Sequence, residues 1–195
     1  MNRRTLLALI LAAPILVVRP ADASPAEAQQ RLTQAVNEVL AVTDRAASGS
    51  ALAEKVRPVL QKHISFETMT RRAVGVGWRQ FSAAQQQKAT QLFTTLVIRT
   101  YSSKFTPGER AAVTYKKAMT PAAGRVDVPT DLVYKGSRYS VTYRMEQAGG
   151  WRIVDVVIEG VSLVANYRTQ LDASFKKGGA AAVLSSLENS VSRPS

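Results

Sequence analysis

The chain has 195 residues, no cysteine and a single histidine, and its 26 Lys and Arg against 14 Asp and Glu give a formal charge of +12 at neutral pH. The lack of cysteine excludes disulfides, thiolate metal sites, redox motifs and cysteine nucleophiles together, and with them a lipid-modified N-terminal cysteine. The surplus of positive charge points to lipid headgroups, nucleic acid or acidic proteins as partners.

At the start of the chain, Arg3 and Arg4 precede an apolar run from Thr5 to Val18 that is shorter than the ~20 residues of a membrane span. Ala21-Asp22-Ala23 then fits a cleavage triplet, which predicts a cleaved signal peptide over residues 1–23 and one exported domain over residues 24–195. Arg3, Arg4, Arg19 and Asp22 would leave with the signal, so the domain keeps a charge of about +10. Export makes nucleic acid the weakest of the three partner classes.

Ser24 and Glu27 have the spacing of a capping box and Pro25 stands at the first helical position, so a helix should begin there, with Leu32, Val36, Val39, Leu40 and Thr43 on one face. Ser48-Gly49-Ser50 should break it. A second helical pattern runs through Leu52, Val56, Val59, Leu60 and Ile64, and Pro58 should kink it or divide it in two. Residues 65–78 read as a short helix ending at glycine. Ser82, with Gln85 three residues on, opens the strongest pattern, whose stripe of Ala89, Leu92, Phe93, Leu96, Val97 and Tyr101 extends to Phe105 before Thr106-Pro107-Gly108.

Beyond residue 112 the apolar period changes from helical to two. Strands are expected near 112–119, 125–135, 138–147 and 151–159, joined by turns that include Gly136-Ser137 and Gly149-Gly150. The last of them, Ile153-Val154-Asp155-Val156-Val157-Ile158, is apolar on both faces and should be covered on both. Two short helices near 163–175 and 179–187 complete the chain. The class is α+β: helices packed on a curved four-stranded antiparallel sheet, enclosing an apolar cavity.

Catalytic chemistry is thin. His63, beside Lys62 at a helix end, reads as a capping or surface residue, and Asp127, Asp131, Asp155 and Glu159 read as a solvated strand face rather than an acid/base pair. No HExxH, GxSxG, Walker or GxGxxG motif occurs, so no enzyme, metal site or cofactor is expected. Arg71, Arg72, Trp78, Arg79, Arg99, Tyr101 and Lys104 interleave cations with aromatics in the manner of a single-strand binder. Phe93 and Tyr101 fall on the apolar stripe, however, which reads as core or cavity wall, and no nucleic acid is expected.

Four blocks resemble the periplasmic MlaC proteins, also known as toluene-tolerance or auxiliary components of an ABC transport system. They are Phe66-Glu67-Thr68-Met69-Thr70-Arg71-Arg72-Ala73-Val74-Gly75, then Trp78-Arg79 with Gln85-Gln86-Gln87, then Leu96-Val97-Ile98-Arg99-Thr100-Tyr101, and finally Trp151 to Val156 running on to Glu159-Gly160-Val161-Ser162-Leu163-Val164-Ala165-Asn166-Tyr167-Arg168. One departure is His63-Ile64-Ser65 before the first block, where relatives often carry an aspartate.

The resemblance implies a monomeric phospholipid shuttle between an outer-membrane lipoprotein complex and an inner-membrane ABC transporter, maintaining outer-membrane lipid asymmetry. A hopanoid carrier of the related HpnM branch and a ligand-free docking adaptor are the alternatives. The lipid pocket is expected to be lined by Phe66, Met69, Val74, Trp78, Phe93, Leu96, Val97 and Tyr101 from the helices, facing Tyr139, Val141 and Tyr143 from the sheet.

Overall fold

The computed structural model describes residues 24–43, 50–106 and 109–193. The expected signal peptide, Ser48-Gly49 and Pro107-Gly108 lie outside them.

Helix α1 (Pro25–Thr43) starts where Ser24 places it, its hydroxyl accepting the N–H of Ala26 rather than that of Glu27. Helix α2 (Ser50–His63) passes through Pro58 undivided, which removes division from the two outcomes expected there. Pro58 is exposed, so the carbonyl it leaves without an N–H partner can face water, while the buried Leu52, Ala53 and Val56 hold the helix in place. Helix α3 (Phe66–Val74) runs into a 3₁₀ turn over Gly75–Gln80. Helix α4 (Ala83–Ser102) opens with both bonds of the Ser82–Gln85 capping box and stops short of Phe105.

Six strand segments follow: β1 (Ala112–Tyr115), β2 (Met119–Ala122), β3 (Arg125–Tyr134), β4 (Ser137–Gln147), β5 (Trp151–Ile158) and β6 (Val161–Ser162). The sheet is antiparallel in the order β1-β3-β4-β5-β6, and β2 also pairs with β3. The strand expected over 112–119 is thus two segments along one neighbour. Pro129 explains the break. Its carbonyl accepts the N–H of Lys116, so its own nitrogen faces the same edge with no proton to give, and pairing lapses there before resuming at Met119. Lys135 and Gly136 adopt φ of 51° and 74° in the tight β3–β4 turn, and β6 is an addition to the expected sheet.

Helix α5 (Leu163–Ser192) is the expected helix pair joined end to end, with non-helical Gly178 and Gly179 between the halves. At Gly179 φ is 59° and ψ is −148°, which a side chain would resist.

The apolar interior has two parts. Helices α2, α3, α4 and α5 share one cluster around Phe93, Met69, Ile98 and Leu187. The second joins Ala28 and Leu32 of α1 to Val126, Val128, Met145, Trp151 and Ile153 of the sheet. Ile64 packs against both, and it forms a parallel bridge to Ile153 that anchors the end of α2 to β5. As expected, β5 is covered on both sides, Trp151 and Ile153 facing α1 while the buried Asp155 bonds to the start of α5.

Candidate functional site

Between the α1–α2 hairpin, the α3 and α4 helices and the inner face of the sheet lies a cavity of about 260 Å³. Helical spacing brings Leu32, Ala35, Val36, Val39, Leu40 and Thr43 of α1 onto one wall, opposite Leu52, Val56, Val59 and Leu60 of α2. Helix α4 contributes Val97, Ile98, Tyr101 and Ser102. Strand alternation supplies Val113, Leu132, Val141, Tyr143, Val156 and Ile158, and the register shift of β5 against β4 at Arg144/Met145 turns Ile153 to the same face. Leu32, His63, Phe66 and Ile153 are buried at the closed end, whereas Val39, Leu40, Phe105, Leu132 and Ile158 are partly exposed and mark the mouth.

Few polar groups reach this space. His63 lines it while only 5% exposed, which corrects its expected capping or surface role: the Ile64–Ile153 bridge draws the end of α2 into the interior. Its Nε2 lies 2.9 Å from Glu38, whose other oxygen takes a 2.7 Å bond from Lys62. Those hydrogen bonds, from Lys62 first and then His63, lower the Glu38 carboxyl from 4.5 to about 2. Burial pushes the Tyr143 phenol up to about 12, helped by neighbouring Tyr115. Tyr143 therefore remains neutral at any physiological pH.

The outer face of the sheet has the opposite character. Asp131 pairs with Lys116 and Arg138, Glu146 with Arg72 and Arg125, and Arg144 lies 3.1 Å from Asp155 and 4.0 Å from Asp127. Burial raises the Asp127 carboxyl, and nearby Asp155 adds to this while Arg144 opposes it. Asp155 departs from the solvated face expected of it. It is 5% exposed because it caps α5, accepting the Ser162 hydroxyl at 2.6 Å and the Val164 N–H at 3.1 Å. Each of these carboxylates is committed to an ion pair or a cap, and the arrangement serves the architecture.

A family model for the MlaC protein matches residues 30–189. The chain belongs to the MlaC family. Among solved structures, a phospholipid-binding protein from Ralstonia solanacearum, in complex with a phospholipid, is similar at 25% identity and a TM-score of 0.75, over 85% of this chain and 97% of its own. No curated protein matches the sequence.

In this MlaC-family chain, six of the residues expected to line a pocket stand on the cavity wall: Phe66, Met69, Val97, Tyr101, Val141 and Tyr143. The other five do not. Phe93 is fully buried and meets Tyr167 edge-on at 5.1 Å, and Val74 is buried with it among the helices. Trp78 stacks on Phe81 at 5.6 Å. Leu96 lines a small notch with Arg99 and Val191. Tyr139 continues the inward alternation of Val141 and Tyr143 but lies near the end of β4 and is 38% exposed. The physical reason for four of these is common. Helix α4 is apolar over more than one direction, and α5, which packs against α3 and α4, takes the side that carries Phe93. The residues missed were mainly those of α1 and α2. Their stripes were legible, but nothing in a stripe tells a filled contact from a void.

Proposed function

We propose that this chain is a periplasmic phospholipid carrier, exported by a cleaved signal peptide over residues 1–23 and acting as a single domain over residues 24–195. It would shuttle lipid between an outer-membrane lipoprotein complex and an inner-membrane ABC transporter, and so maintain outer-membrane lipid asymmetry. The observation that carries this reading is the apolar cavity between α1–α2, α4 and the sheet, in a chain of the MlaC family that is similar to a phospholipid-bound structure.

The chemistry is that of partition. Burying about 28 methylenes of two acyl chains is worth roughly 20 kcal/mol at ~0.8 kcal/mol each. A bilayer supplies the same, so a wall of Val, Leu, Ile, Phe and Met makes exchange nearly neutral and leaves direction to the partners. Phe66, Met69, Val97, Tyr101, Val141 and Tyr143 are the proposed acyl-chain contacts. An apolar cavity near 150 Å³ takes one benzene ring, so one of about 260 Å³ takes on the order of ten carbons. Seating both chains would then require the walls to part or the ends of the chains to project from the open side.

The test is native mass spectrometry of the secreted protein, purified without detergent, followed by identification of whatever is released. Stoichiometric phospholipid is the expected result. Hopanoid would transfer the chain to the HpnM-like reading, and a protein that neither carries nor accepts lipid would leave only a docking adaptor.

A further inference from the structure

On the outer face of the sheet a groove of about 620 Å³ lies between β2–β5, the end of α3 and the first turns of α5, and none of its lining residues lines the cavity. Every carboxylate in the groove is committed, whereas one cation is not. Glu146 is shared by Arg72 and Arg125, and Arg144 lies between Asp127 and Asp155. Arg168 makes no ion pair or hydrogen bond among the described residues. Four arginines set against three carboxylates leave the groove short of one negative charge.

The shortfall continues onto the adjoining surface. The Arg168 guanidinium lies against Gly75, where an added Cβ would stand 3.2 Å from its Nε. Arg71 is one helical turn before Gly75 and Arg79 one turn after it. Both are exposed and, like Arg168, unpaired among the described residues. The acidic groups that α3, the 3₁₀ turn and the facing half of α5 supply are Glu67 and Asp172, and Lys176 already holds Asp172. Amid these arginines Val76 is 79% exposed. Its turn is pressed onto α5 on both sides, because Gly75 lies under Arg168 and a side chain on Gly77 would meet the Phe175 ring at 2.7 Å. Val76 is thereby fixed outward.

We propose that this surface docks an acidic patch of a partner protein, one carboxylate entering the groove to pair with Arg168 and others meeting Arg71 and Arg79 around Val76. The planar fork of arginine takes a carboxylate through two N–H donors at once, and a surface already held in place loses little freedom on binding. A lipid surface would also answer the charge. It would, however, lie across the sheet from the cavity, where it could neither give nor receive cargo, and the groove has room for side chains rather than for a bilayer. The inference rests on the carrier reading for the need of a protein partner, and it adds the chemistry of that partner's surface.

Fluorescence polarisation of a labelled hexaglutamate peptide with the secreted protein tests it. Binding should weaken in high salt, about fivefold in Arg168→Gln and about threefold in Arg71→Gln or Arg79→Gln. Lys55→Gln, which removes the same charge from an exposed site on α2, should leave it unchanged. All four variants should retain the folded circular-dichroism spectrum, since each side chain is exposed. Equal losses in all four would assign binding to net charge and overturn the site, as would an unchanged Arg168→Gln. Flotation with phosphatidylglycerol vesicles that falls in Arg168→Gln would overturn it too, by giving the surface to lipid. Bound lipid measured in the same samples separates the two readings: a lipid-loaded protein that ignores the peptide refutes the docking surface alone, and a protein that binds the peptide with these losses but carries no lipid refutes the carrier alone.

Discussion

The two halves of this molecule are built from the same kinds of side chain and end in opposite states. Where α3, α4 and α5 meet, the interior is filled: Phe93 and Ala89 are fully buried, Phe93 meets Tyr167 edge-on, and the Phe175 ring occupies the place a side chain on Gly77 would need. Where α1 and α2 face the sheet, the interior is open along lines of Val, Leu and Ala. Rings interlock and close the first half, while in the second the side chains of α1, α2 and four strands stop short of one another and leave it hollow. Apolar character alone does not decide between a core and a binding site.

Substitutions can break that comparison. The largest stability effect is expected from Phe93→Ala, about 3–5 kcal/mol by urea denaturation, since it opens a cavity in the filled half. Next comes a pair of enlargements. Gly77→Ala places its Cβ 2.7 Å from Phe175 ring atoms and should cost about 1–3 kcal/mol. Ala35→Leu, pointing into the hollow half, should remain within about 1 kcal/mol of the parent while lowering bound lipid. Equal penalties for the two enlargements would show that both halves are equally full.

The smallest effect concerns Glu38. Its folded pKa lies below its ordinary 4.5, so the stability it contributes is complete above that pH and is lost as pH falls towards 2. Thermal melts of Glu38→Gln and the parent should therefore converge across that window. Melting curves that stay equally far apart from pH 6 down to pH 2 would remove Glu38 from the account.

Much of the fold was legible where one local signal had one structural answer. The Ser82–Gln85 box opens α4, Gly178-Gly179 divides α5, and the turns at Gly136 and Gly149-Gly150 bound β3, β4 and β5. The sequence reading failed where a neighbour decided. Pro129 interrupts a strand that its own sequence, residues 112–119, gives no reason to break, and the bridge from Ile64 to β5 buries a histidine with the local pattern of a surface residue. For the site, apolar faces were readable, but the direction in which α4 turns Phe93 rather than Tyr101 depends on where α5 packs. Phe93 and Leu96 of α4, Val74 of α3 and Trp78 of the 3₁₀ turn were expected at the pocket because the packing of α5 against those elements is not written in any one of them, and the α1 and α2 walls were not.

Bound lipid in matched aspartate variants tests the division most directly. Val141→Asp places a carboxylate on the cavity wall, whereas Leu96→Asp places one in the notch beside Arg99, outside it. Mass spectrometry of both folded variants, secreted and purified without detergent, should find Val141→Asp stripped of phospholipid and Leu96→Asp still loaded. The reverse result, or full loading of both, would contradict the hollow half as the lipid site.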